Sequence, residues 1–232
     1  MDAPRAVILD LDDTLFDDTA CTRAGLLALT QRYGLSCDAD DLFRRHAAHI
    51  HAIDPLLFRG DLDAHGARTL RFTRLLTDLG VFTPDGTAAT GIYREAYRAA
   101  WALLDGATDV LHTLRRAGVV TAVLTNYVRE VQLDKLAHFG LQTLLDAVLC
   151  VDDIGCAKPD ARAYHAACAA LAVAPGQAVM VGDSWEKDVQ GARNAGLGAV
   201  WVNRGGIPAP DPAVPKVARL ADLPAALGLV PA

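Results

Sequence analysis

Two aspartates set two residues apart, Asp10 and Asp12 in Val7-Ile8-Leu9-Asp10-Leu11-Asp12-Asp13-Thr14-Leu15, carry the clearest chemistry in the chain. In extended backbone such a pair faces the same way, and a bend after Asp10 lets one carboxylate approach a substrate as nucleophile while the other reaches the leaving oxygen. Three carboxylates in four positions behind an apolar run also need a counter-charge. A second acidic stretch, Gly182-Asp183-Ser184-Trp185-Glu186-Lys187-Asp188, offers Asp183 as a further metal ligand, with Asp188 and Ser184 beside the metal or its water. Crowded carboxylates rise in pKa unless a hard cation sits between them, and an all-oxygen set without clustered histidine or thiolate favours Mg2+ over zinc. Capping the following helix is the plainer role open to Asp12 and Asp13, and Asp13 is expected to serve the turn.

Three further polar residues have the right chemistry for an anionic substrate. Thr125 closes the apolar run Val119-Val120-Thr121-Ala122-Val123-Leu124, where its hydroxyl and the backbone N–H groups after it can hold a phosphoryl oxygen. Asn126 is placed to orient Asp10 or the substrate. Lys158, in Cys156-Ala157-Lys158-Pro159-Asp160, can offset the charge on a nucleophile and on the group it attacks. A cap for the Thr-Asn pair and a solvated surface position for Lys158 are the plainer alternatives.

The elements that must position these residues follow from hydrophobic periodicity. Residues 7–10 form a first strand. From 18 to 104 the period is helical throughout, with helices over 19–33, 40–53, 63–79 and 90–103 and no convincing strand. Such a run is expected to fold as a separate helical subdomain, so the boundaries are 1–17 and 105–232 for a core domain and 18–104 for the insert. After it, helix and strand alternate: strands over 119–124, 147–151, 178–181 and 199–202, helices over 110–117, 129–139, 160–172 and 186–195. A Gly- and Pro-rich loop over 203–215 and a short closing helix over 220–227 follow. Near-continuous apolar strands between helices specify an α/β fold, a Rossmann-like parallel sheet sandwiched by helices. In such a sheet, ligands bind outside the carboxyl ends of the strands. Asp10 and Asp12, Thr125 and Asn126, the Asp152-Asp153 pair leading to Lys158, and Asp183 with Asp188 all fall at that end.

Composition narrows the partners. With 22 basic against 28 acidic residues and a formal charge of -6, nothing favours nucleic acid or an anionic membrane surface. Five scattered cysteines with no pairing or metal-ligand pattern, and no export signal or membrane span, suit a cytoplasmic protein. The insert carries Arg44, Arg45, Arg59, Arg68, Arg71 and Arg74, some of which are placed to meet an anionic substrate. Either a monomer or a homodimer is compatible with the chain.

Taken in order, Asp10-Leu11-Asp12-Asp13-Thr14-Leu15, Leu124-Thr125-Asn126, Lys158-Pro159 and the stretch from Gly182 to Asp188 resemble the four motifs of the haloacid-dehalogenase-like (HAD) hydrolase superfamily. The helical insert is similar to the first class of cap in that family, and the likeness extends from Val7 to about Val202. The resemblance implies that Asp10 attacks phosphorus to give an aspartyl-phosphate, and that Asp12 protonates the leaving alcohol and then activates water. It also implies that Thr125 and Lys158 hold the phosphoryl group, and that Asp183 binds Mg2+ with Asp10 and the backbone carbonyl of Asp12. The dehalogenase branch lacks a carboxylate at the position of Asp12. A halide leaves without a proton whereas an alkoxide needs one, so hydrolysis of a small phosphate monoester, of sugar phosphate or nucleoside monophosphate type, is expected. A phosphomutase, a 2-haloacid dehalogenase and a non-catalytic phospho-ligand binding protein are the alternatives.

Overall fold

A computed structural model describes residues 3–229, and the chain divides into two compact units. One unit runs through Phe16 and resumes at Leu103; the other is Asp17–Ala102. These crossings fall one and two residues before the boundaries expected from the periodicity, for local reasons. Asp17 belongs with the helices because its carboxylate caps the first of them, accepting from the Ala20 N–H at 3.4 Å. Leu103 belongs with the sheet unit because it bridges Phe16, and the Leu104 N–H donates to the Leu15 carbonyl at 2.9 Å.

The sheet unit is built on β1 (Ala6–Leu9), β2 (Val120–Leu124), β3 (Ala147–Leu149), β4 (Ala178–Gly182), β5 (Gly198–Val202) and β6 (Lys216–Val217). They form one parallel sheet in the order β3-β2-β1-β4-β5-β6. Ile8, Ala122, Leu124 and Met180 share a buried cluster with Tyr164 and Ala167 of a covering helix, Ala161–Ala170. Val7, Leu9, Val123 and Val181 alternate with them, so they point to the opposite face, and they are buried too. Burial on both faces is why these strands are apolar without alternation. The connections place β1 at the centre, with β2 on one side and β4 on the other, which makes the carboxyl end of β1 the point where the winding of the sheet reverses.

Three local features differ from the periodicity. The expected strand over 147–151 stops at Leu149, and Val151–Ile154 turns into a short helix, where the Asp153 carboxylate reaches back to accept from the Cys150 N–H at 2.9 Å. The expected helix over 186–195 is a π-helix, Trp185–Gln190, that passes into a short α-helix, Gly191–Asn194. Just beyond the loop expected over 203–215, in residues to which the periodicity assigns no element, the chain adds β6, whose two residues pair with Trp201 and Val202.

The helical unit consists of α1 (Asp18–Tyr33), α2 (Ala39–Phe58), α3 (Ala64–Asp78) and α4 (Thr87–Ala99), with no strand among its residues. α2 continues through Pro55 to Phe58, five residues beyond the limit expected from its pattern. Its core joins Leu26, Leu29, Leu42, Phe72, Leu75, Leu76 and Tyr93. α1 and α4 approach closely at Gly25, where a Cβ would lie 2.5 Å from the Tyr93 ring. Among the described residues no helix is long and apolar enough to cross a membrane.

Candidate active site

The site lies in the sheet unit, at the carboxyl end of β1 and its two neighbours. Register places Leu9 opposite Val123 of β2 and Val181 of β4, so Asp10, Thr125 and Asp183 leave three adjacent strands within a residue or two of one another. The Asp10 N–H still donates to the Val181 carbonyl at 2.9 Å, which fixes the exit of the chain before it turns. Asp13 then adopts a left-handed conformation with φ of 59° and pairs with Arg204 at 3.0 Å, the supporting turn role expected of it. A cleft of about 390 Å³ opens over this edge and is lined by Asp10, Asp12, Thr125, Lys158, Asp183 and Asp188.

Lys158 organises one half of the cleft. Its side chain is 2% exposed, and its ammonium donates to Asp10 at 2.8 Å and to Asp188 at 2.6 Å. Burial opposes its charge, but the two carboxylates outweigh burial and hold the ammonium above its ordinary pKa. A solvated surface position for this lysine is therefore ruled out. Asn126 fixes the same residue from the backbone side: its amide N–H donates to the Lys158 carbonyl at 2.7 Å and its oxygen accepts from the Lys158 N–H at 2.8 Å. The Asn126 side chain thereby braces Lys158 from the backbone side while still lining the cleft.

Asp188 reaches the site because the π-helix turns it inward and because β4 ends in glycine. A Cβ on Gly182 would lie 2.2 Å from the Asp188 carboxylate. One Asp188 oxygen takes the Lys158 ammonium and the other accepts from the Ser184 N–H at 3.0 Å. The Ser184 hydroxyl meanwhile accepts from the Lys187 N–H at 3.3 Å, so it caps the π-helix. Asp183 is held through its carbonyl, which accepts from the Trp201 indole at 2.8 Å.

Ligand oxygens of Asp10, Asp183 and Asp188 all lie within 4.8 Å of one another. Asp10 and Asp188 share the Lys158 ammonium there, and Asp183 stands beside them. Burial, then Asp10 and Asp188, push the Asp183 carboxyl up to about 8; burial and Asp188 push Asp10 up to about 6 despite Lys158. Carboxylates brought together at such a cost, with only oxygen donors, fit a hard divalent cation such as Mg2+. Cys150, Asp152 and Asp153 also cluster, but do not make a comparable site. Burial and the two aspartates push the Cys150 thiol up to about 12. The carboxylates are occupied: Asp152 accepts from the Arg129 N–H at 3.0 Å, and Asp153 takes the Arg129 guanidinium at 2.7 Å. The Asp152-Asp153 pair thus anchors the start of a helix, Arg129–His138, instead of joining the cleft.

That helix contributes two residues the sequence reading missed. Lys135, 4% exposed in its side chain, meets one Asp12 oxygen at 2.6 Å; Gln132 donates to the other at 2.9 Å and to the Thr125 hydroxyl at 2.7 Å. They follow β2 by less than a dozen residues but lie 123 and 120 positions from Asp12, so no local motif links them. The available signal was their spacing: with Leu136 they share the face that this helix buries. Because Asp12 is engaged by Gln132 and Lys135, its carboxylate is not part of the acidic cluster.

A parallel sheet with aspartates clustered at its switch point, joined to a helical insert between the first and second strands, defines the haloacid dehalogenase-like class of hydrolase. A profile of the haloacid dehalogenase-like hydrolases matches residues 4–196, and the chain belongs to that family. It is 35% identical to a phosphoserine phosphatase of Thermus thermophilus, over 94% of this chain and 96% of that protein. It is 32% identical to a ribulose-1,5-bisphosphate 5-phosphatase of Halopiger xanaduensis, over 84% and 83% of the two chains. Its fold resembles that of the Bacillus subtilis HAD-hydrolase YfnB bound to magnesium, with a TM-score of 0.76, 23% identity, and coverage of 97% and 99%.

Proposed function

We propose that the protein is a Mg2+-dependent phosphatase acting on a small phosphate monoester of a soluble metabolite. The observation that carries this reading is the second carboxylate, Asp12, held beside the nucleophile position and outside the acidic cluster. An ester oxygen leaves as an alkoxide and needs a proton donor, whereas a halide does not. The likeness to the phosphatases of Thermus and Halopiger supports the same chemistry.

An Asp10 oxygen attacks phosphorus as the bond from phosphorus to the ester oxygen breaks, and Asp12 delivers a proton to that oxygen. In the second half Asp12 takes a proton from water, the water oxygen attacks phosphorus, and the bond to Asp10 breaks to release inorganic phosphate and restore the carboxylate. The Lys158 ammonium holds Asp10 and offsets the charge it brings to the phosphoryl group. Because Gln132 donates to the Thr125 oxygen, the Thr125 hydroxyl proton is left to donate to a non-transferring phosphoryl oxygen. Asp10, Asp183 and the Asp12 carbonyl would hold Mg2+, with Asp188 and Ser184 alongside; the ion supplies charge neutralisation for the transferred group.

The substrate is of sugar phosphate or nucleoside monophosphate type, the protein acts in the cytoplasm as a monomer or homodimer, and nucleic acid is not a partner. The five free cysteines suit a reducing compartment. A panel of phosphorylated metabolites incubated with Mg2+ should release inorganic phosphate from a subset, and EDTA should abolish the release. Asp10→Asn should lower kcat by roughly 10⁴-fold or more while the fold persists. Isomerised sugar phosphate without free phosphate would instead indicate a mutase, and halide release from a 2-haloacid a dehalogenase.

A further inference from the structure

We infer that Gln132 and Lys135 are positioning residues for Asp12, and that through it they set how poor a leaving group the enzyme can expel. The inference rests on the reading of Asp12 as the proton carrier. Each Asp12 oxygen has its own donor, Lys135 on one and Gln132 on the other, so the plane of the carboxylate is fixed as well as its position. Both donors sit on rigid helix backbone, and Gln132 is fully buried. Lys135 is steadied in turn by the Phe16 ring, whose centroid lies 4.4 Å from its ammonium.

Gln132 shows that this arrangement has a cost. Its amide nitrogen serves Asp12 and Thr125 together, while its Oε1 is buried and accepts no hydrogen bond from any described residue. Reversing the amide would set that oxygen against an acceptor-only carboxylate, so the orphaned oxygen is the consequence of aiming both N–H groups at the site. A buried acceptor without a donor is disfavoured, and a side chain serving packing alone would gain by becoming apolar. The same amide also ties Asp12 to Thr125, so the proton carrier and the phosphoryl-holding hydroxyl move as one unit. A fixed carboxylate matters most where the proton must arrive as the bond breaks, which is the case for an alkyl ester and much less so for an aryl ester whose phenolate leaves unaided.

The test is kcat/KM, which reports the phosphoryl-transfer step, across phosphate esters of alcohols and phenols of graded acidity. It is measured for wild type, Asp12→Asn, Gln132→Met, Lys135→Met and Lys135→Arg. Asp12→Asn should lose alkyl-ester activity far more than aryl-ester activity. Gln132→Met and Lys135→Met should show the same selective pattern, the alkyl loss exceeding the aryl loss by about 10²-fold, with Lys135→Arg partly restoring it. Gln132→Met removes the orphaned oxygen and should unfold no more readily than wild type, so it carries the test even if Lys135→Met does not fold. Equal losses on all esters, or none, alongside a selective Asp12→Asn would overturn the inference and leave the role of Asp12 standing. An Asp12→Asn variant with no leaving-group selectivity would instead remove the reading on which the inference rests.

Discussion

Both units bury cations, and they do so by different physics. In the sheet unit the buried cations are lysines, and each is paired: Lys158 with Asp10 and Asp188, Lys135 with Asp12. In the helical unit the buried basic groups are Arg71 and His46, and neither has a carboxylate partner among the described residues. Arg71 lies instead over the rings of Phe72 and Tyr93, at 5.0 and 5.8 Å, and His46 stacks against the same two rings at 5.6 and 5.4 Å. A lysine is a compact, strongly hydrated charge that needs anions to replace its water, whereas a guanidinium is weakly hydrated and can be buried by stacking. Strand ends supply several carboxylates from distant parts of the chain at one place; a four-helix core supplies rings. The sheet unit therefore holds charge ready for chemistry, and the helical unit holds it as packing.

Replacing one cation in each unit should separate these two cases. Lys158→Met leaves Asp10 and Asp188 facing each other without their counter-charge and should cost about 3–5 kcal/mol in metal-free denaturation, with activity lost as well. Added Mg2+ should recover part of the stability, because the ion replaces some of the missing positive charge. A smaller effect is expected from pH. Burial, followed by Arg71 and His49, holds the His46 pKa well below its ordinary value, so the folded protein keeps this ring neutral while the unfolded chain takes up a proton below about pH 6.5. The stability is fully present above that value and is lost as pH falls, by about 1.4 kcal/mol at about pH 5.5. His46→Leu should flatten that limb in thermal unfolding followed from pH 8 to 5. The smallest change belongs to Arg71→Met, expected within about 1 kcal/mol of wild type, since stacking is lost while desolvation is relieved. A loss as large as that of Lys158→Met would erase the contrast between the units.

Much of this organisation was legible in the chain. Apolar runs ending in polar residues gave the strands and the edge where ligands bind, because burial on both faces leaves little else for those positions to be. Asp10, Asp12, Thr125, Lys158 and Asp183 do meet at one cleft: the aspartates and Thr125 stand within three residues of a strand end, and Lys158 arrives on the loop that follows β3 and its short helix. What escaped notice depends on long-range or backbone detail. Gln132 and Lys135 sit mid-helix with no motif around them. The π-helix that turns Asp188 inward has the same apolar spacing as an ordinary helix start. Asn126 was placed correctly at the strand end, but its bond to Lys158 depends on a loop arriving from 32 residues away. Among the arginines singled out in the insert, Arg44 and Arg45 pair with Asp41 and Arg59 with Asp61, while Arg71 is drawn into the aromatic core; periodicity alone did not distinguish these fates.

The most direct test of the account is to trap the covalent intermediate. Asp12→Asn, lacking the base for the second half-reaction, should accumulate a phosphoryl group when acid-quenched after mixing with Mg2+ and an aryl phosphate. Mass spectrometry of the digest should place that group on the peptide bearing Asp10, and Asp10→Asn should show none. A phosphoryl group on another residue, or wild-type turnover by Asp10→Asn, would contradict it.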